Sequence, residues 1–77
     1  MSPQLKEIVA GVLGVSADQI SETSGPRTIP EWNSLAHVTM VAAVEQEFSV
    51  QFEMQEILGI KTVADLSRLL TAKGGPG

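Results

Sequence analysis

Seventy-seven residues, 43% of them hydrophobic and 18% charged, make one small globular domain close to the size below which a single apolar core is hard to sustain. Nine acidic residues against five basic ones give a net charge of -4, the wrong sign for a nucleic-acid surface, and the absence of cysteine excludes disulfides and thiolate metal sites. The uncharged run around the first helix, Ile8–Ala17, is ten residues long with two glycines, too short to cross a bilayer and lacking the basic leader of a secretory signal.

These limits lead us to expect a soluble cytoplasmic monomer with no metal, nucleic-acid or membrane partner. With one Trp and two Phe, its core must come mainly from Val, Ile, Leu, Ala and Met.

Ser2 and Pro3 read as N-cap and first helical residue, and Leu5, Ile8, Val9, Val12 and Leu13 then fall on one helical face up to a C-terminal cap at Gly14. Gly11 lies inside this helix and costs it roughly 1 kcal/mol relative to Ala, so packing must hold it together. From Val15 to Trp32 no period persists and Ser, Thr, Asp, Gly and Pro dominate. A connection of that length is unusual in a small domain and tends to be functional. Ile20 and Ile29 are expected to pin it to the core, with Trp32 as a further anchor, while Pro30 holds Ile29 extended and aims the chain at the next helix.

Asn33 and Ser34 are both good N-cap residues, and fourteen residues free of Gly and Pro follow, predicting a helix from Ser34 to Phe48. Its start gathers unpaired N–H groups and the positive end of the macrodipole, so a phosphate ester on the Ser34 hydroxyl would sit in a favourable field. Stepping about 100° per residue puts His37, Met40, Val41, Val44 and Phe48 on a core face. Leu35, Val38 and Ala42 fall nearly opposite, an apolar strip that suggests a binding surface.

Ser49–Phe52 reads as an extended link with Val50 and Phe52 inward. Glu53–Leu58 reads as a short helix stopped by Gly59, with Met54, like Met40, filling core. Thr62 and Asp65 form a capping-box pattern ahead of Val63, Leu66, Leu69 and Leu70, predicting a last helix to about Ala72. The expected fold is therefore all-α, a bundle of three long helices and a short third one with a long first loop. It would span residues 1–73 as one domain, followed by a Gly-rich tail, 74–77, that packs against nothing.

Trp32-Asn33-Ser34-Leu35-Ala36-His37, at the end of a long loop and the start of the second helix, resembles the W-D-S-L-x-H form of acyl and peptidyl carrier proteins. Glu45-Gln46-Glu47-Phe48 stands where that family commonly has an acidic stretch and a Phe, and the likeness runs from Leu5 to Leu70. The resemblance implies a non-catalytic carrier that bears 4′-phosphopantetheine on Ser34, donated from coenzyme A by a separate phosphopantetheinyl transferase. Acyl or aminoacyl groups would ride on its thiol as thioesters between the loading and transfer enzymes of a fatty acid, polyketide or nonribosomal peptide pathway. Asn33 and His37 would flank the group; His37 reads first as a helix residue packed against the loop, with steadying of the phosphate as the lesser alternative. Leu35, Val38, Ala42 and Glu45 would dock partners. Asn33 stands where the family usually has Asp, and Ala36 and Thr39 where many members have acids, which shifts docking toward apolar contact.

Two further observations bear on that surface. No Lys or Arg occurs between Arg27 and Lys61, whereas Glu31, Glu45, Glu47, Glu53 and Glu56 do, a field that would speed encounter with basic partners. The absence of a flanking domain favours a free-standing protein.

Blander readings compete. A Ser at a helix start most often serves only as the cap, and an acidic window can be no more than a solvated face. A hydrolase built on Ser34 and His37 would need a G-x-S-x-G elbow, an oxyanion loop and a substrate pocket, and no such motif is present. The remaining alternative is a non-modified helical interaction module with a carrier-like fold.

Overall fold

Caps written into the sequence set most helix boundaries in the computed structural model, which describes residues 1–77. Helix α1 spans Pro3–Leu13, α2 Ser34–Phe48, α3 Met54–Leu58 and α4 Val63–Ala72, with no strand between them. Ser2 Oγ accepts the Leu5 N–H at 3.2 Å to start α1, and Gly14 ends it in the left-handed region at φ 70°. At α4, Thr62 Oγ1 accepts from the Asp65 N–H while Asp65 Oδ2 takes the Lys61 and Thr62 N–H groups at 2.9 and 3.2 Å, the reciprocal box the sequence predicts. Leu5, Val9, Val44, Val63, Leu66 and Leu70 are fully enclosed and form the centre of one core.

The end of α2 departs from the usual glycine stop. Ser49 adopts φ 56°, ψ 46°, a left-handed conformation that disfavours a side chain by about 1–2 kcal/mol. Glu45 offsets that strain. Its carbonyl collects the N–H groups of Ser49 and Val50, and its Oε2 accepts the Phe52 N–H at 2.8 Å, which turns Val50 and Phe52 inward as expected.

The first loop is more structured than its composition suggests. Ala17–Gln19 forms a 3₁₀ turn capped by Ser16, with Gln19 Oε1 accepting the Ser16 N–H at 3.1 Å. The S-x-x-Q spacing of Ser16 and Gln19 is the sequence signal for this turn. Ile20, Ile29 and Trp32 are buried and anchor the loop as expected.

Beyond its anchors the loop is sewn to α4. The Ser24 and Glu22 carbonyls accept the Val63 and Ala64 N–H groups, both at 2.9 Å, so the loop supplies acceptors that a helix N-terminus otherwise lacks. Gly25 permits this approach, since a Cβ there would lie 2.2 Å from the Lys61 carbonyl oxygen. Gly25→Ala should cost roughly 2 kcal/mol, because the obstructing atom is backbone and cannot rotate away. Gly11→Ala, where a Cβ meets nothing within 4 Å, should gain up to about 1 kcal/mol. Thermal melts of the two variants are therefore expected to shift in opposite directions.

Two expectations are corrected. Met54 does not fill the core: it is 69% exposed, as Leu58 is at 68%, and only Ile57 of α3 packs inward. The Gly-rich end, expected to lie free, turns back along α4. Gly75 N–H donates to the Leu70 carbonyl, and the Gly77 carbonyl accepts from the Ser2 N–H and from Ser67 Oγ at 2.9 Å.

Candidate functional site at the start of helix α2

Asn33, not Ser34, caps α2. Its Oδ1 accepts the Ala36 N–H at 2.9 Å and its carbonyl accepts from the His37 N–H. Ser34 becomes the first helical residue, exposed, with its hydroxyl free of the capping task that the bland reading assigns to it. The N–H groups of Ser34 and Leu35 find no backbone acceptor, so two donors and the positive end of a 15-residue helix lie beside that hydroxyl. A phosphate ester on Ser34 Oγ fits this position: it would meet unused donors and displace no internal hydrogen bond.

His37 packs against the loop, as its main sequence reading has it, and does not face the phosphate position. Its Nδ1 lies 3.0 Å from Trp32 Nε1 and its Nε2 lies 2.8 Å from the Ile57 carbonyl oxygen. The indole N–H can only donate and the carbonyl can only accept, which requires the neutral imidazole with its proton on Nε2. Both ring nitrogens are thereby committed to the fold and neither is left for a phosphate. His37 instead ties Trp32 of the loop, its own helix and α3 into one unit beneath Ser34.

The wheel placement of the exposed strip holds. Leu35 is 77% and Val38 61% exposed, and Ala42 is exposed one turn further on. Glu45, expected beside them as a docking acid, is drawn into the turn after α2 by its bond to Phe52 N–H. Met54 and Leu58, which sequence reasoning assigned to the interior and to no face respectively, join Val38 in lining an open groove of about 1070 Å³ that begins at Ser34. Its other walls are the loop around Pro26, with Trp32 and His37, and the segment Ile60–Thr62.

The acidic window is likewise partly internal. Glu56 Oε1 accepts the Glu53 N–H at 2.8 Å and pairs with Lys73 Nζ at 3.0 Å, joining α3 to the end of α4. The backbone bond first, then the Lys73 ammonium, hold the Glu56 carboxyl below its ordinary range despite opposing desolvation. A lowered folded-state pKa stabilises the fold above the free-Glu value of 4.5 and ceases to do so as pH falls through the folded pKa. The advantage of the wild type over Glu56→Gln in denaturant titrations should accordingly be full at neutral pH and vanish below that value.

No cluster of His, Asp or Glu suited to a metal ion forms, and no helix is long and apolar enough to cross a membrane.

Comparison with known proteins converges on this same helix start. The family model for the phosphopantetheine attachment site matches residues 31–70, the segment that contains Asn33, Ser34 and the groove's α3 wall. An acyl carrier protein of Saccharopolyspora erythraea is 32% identical over 66 residues, covering 86% of this chain and 70% of that protein. One from Bdellovibrio bacteriovorus is 31% identical over 72 residues, covering 94% and 92%. The solution structure of a holo acyl carrier protein from Geobacter metallireducens shares the fold with a TM-score of 0.82 at 24% identity, over 91% of this chain and 80% of that one. A capped helix that exposes a serine hydroxyl and two unused N–H groups, inside a segment that matches a phosphopantetheine attachment model, shows that the chain belongs to the acyl carrier protein family.

Proposed function

We propose that this protein bears 4′-phosphopantetheine on Ser34 and shuttles acyl or aminoacyl thioesters between enzymes of a fatty acid, polyketide or nonribosomal peptide pathway, working in the cytoplasm as a monomer. The observation that carries the reading is the division of labour at the tip of α2, where Asn33 caps the helix and Ser34 presents an uncommitted hydroxyl. The prosthetic group would supply a thiol on a long arm. This chain would supply a fixed attachment point, since rigid elements hold a site more closely than loops do. In the loading reaction Ser34 Oγ would attack the pantetheine-bearing phosphorus of coenzyme A, the pyrophosphate P–O bond would break with adenosine 3′,5′-bisphosphate as leaving group, and the hydroxyl proton would go to a base outside this chain, because His37 has no free nitrogen to receive it. Asn33 keeps α2 capped throughout.

Incubation with coenzyme A and a promiscuous phosphopantetheinyl transferase, read by intact mass, tests the assignment. A gain of one prosthetic group supports it, whereas no gain with several transferases favours an unmodified interaction module.

Docking is the other half of the function. Leu35, Val38 and Ala42 on α2, with Met54 and Leu58 on α3, offer exposed apolar contacts near the arm's root, and such contacts suit transient partners. Val38→Asp should lower turnover by partner enzymes about tenfold, the equivalent of roughly 1.4 kcal/mol of docking energy, while leaving the circular dichroism spectrum unchanged. Loss of helicity would instead place Val38 in the core.

A further inference from the structure

The protein carries nine acids, yet none of them lines the groove that begins at Ser34, whereas two of its five cations do. Of those five, Arg68 pairs with Asp65, Lys73 pairs with Glu56, and Lys6 lies on α1. The two remaining, Arg27 and Lys61, are exposed, make no ion pair and both line the groove. They stand where the loop is sewn to α4, and Lys61 is held there by the bond from its N–H to Asp65 Oδ2. The floor between is apolar, from Val38, Ile57, Leu58 and Ile60, and His37 adds no charge to it. A cavity of about 1070 Å³ is at the upper end for a small-molecule site. An apolar body with an anionic end matches this lining, and an uncharged chain leaves both cations without a partner.

We infer that the groove selects cargo whose acyl chain ends in a carboxylate, which Arg27 and Lys61 receive while the chain lies against the apolar floor. The inference rests on Ser34 bearing the arm. A phosphodiester on Ser34 is the other anion within reach, but the free Ser34 and Leu35 N–H groups already serve it. Two groove-lining cations without acidic partners gain more from a second anion than from one already hydrogen-bonded at the helix tip.

The test loads Ser34 from adipoyl-, hexanoyl- or unacylated coenzyme A, in the wild type and in the Arg27→Gln, Lys61→Gln double variant. Intact mass verifies each product before thermal melts and amide chemical shifts are recorded. The adipoyl form is expected to melt roughly 2–5 °C above the hexanoyl form, with the Arg27 and Lys61 amides shifted, and the difference should vanish in the double variant and shrink in about 0.5 M salt. Equal melting of the adipoyl and hexanoyl forms overturns the inference, as does a difference that survives in the double variant. So does an unacylated arm that by itself produces the full shift, which would make the phosphodiester the bound anion. Failure of every product to gain mass is a separate result that overturns the carrier assignment, and this inference with it.

Discussion

Ser34→Ala is expected to gain no mass at all from coenzyme A and transferase while melting within about 0.5 kcal/mol of the wild type, and Asn33→Ala to show the reverse pattern. The contrast follows from which residue does what at the tip of α2. Ser34 Oγ is the proposed ester oxygen and caps nothing, so removing it deletes the attachment and leaves the fold alone. Asn33 Oδ1 satisfies the Ala36 N–H, and its loss leaves a helix donor unpaired at a cost of about 1 kcal/mol, which in a domain of this size lowers the melting temperature by roughly 4–8 °C. The Asn33 variant keeps its hydroxyl and should still be modified, although fraying of the first turn would slow the reaction. If Ser34→Ala proved as destabilising as Asn33→Ala, the hydroxyl would be a structural group and the proposed division between cap and attachment point would fail.

Trp32→Ala should produce the largest loss of stability of any substitution at the site, about 3–5 kcal/mol, against a total of roughly 5–15 kcal/mol for a folded domain. Trp32 is 3% exposed and occupies the space where the loop meets α2. Its removal opens a cavity and also strips His37 Nδ1 of its donor. With that nitrogen unpaired, the His37 link to the Ile57 carbonyl loses its fixed tautomer, and α3 loses its tie to α2. Trp32→Phe largely separates the two effects, because it retains most of the buried surface while deleting the indole N–H together with the rest of the five-membered ring. It should cost about 1–2 kcal/mol in urea titrations, less than half the loss in Trp32→Ala. Equal losses in the two variants would show that the hydrogen bond, not the packing, dominates.

Both predictions concern one arrangement, in which a rigid anchor beneath the helix tip frees the tip itself for chemistry. Trp32 and His37 immobilise the chain on either side of Ser34, and Asn33 satisfies the turn that Ser34 begins. A swinging arm benefits from such a root, because motion of the attachment point would blur where the cargo is delivered. The same anchor shapes the groove, since Trp32, His37 and Ile57 are all among its walls.

Sequence alone determined the helices of this protein and the position of its serine. Ser2, Gly14, Asn33, Thr62 with Asp65, and the spacing of Leu5, Val9, Val44, Val63, Leu66 and Leu70 are patterns within one or two turns of backbone, so they place the helices locally even though packing is what holds them. Only the tertiary structure decided what depends on which surfaces meet. Met54 and Leu58 have the same apolar character inside or out, and it was the docking of α3 through Ile57 alone that turned them to solvent. His37 could have faced a phosphate until Trp32 and the Ile57 carbonyl, five and twenty positions away, claimed its two nitrogens. Glu45 could have met a partner until Phe52 N–H reached it. The Ser24 and Glu22 carbonyls acquired their roles from α4, some forty residues on, at a junction that Gly25 alone is small enough to permit. Local caps and periodicity are properties of a segment, whereas exposure, tautomer and hydrogen-bond partner are properties of an encounter between segments, and no single stretch of chain contains them.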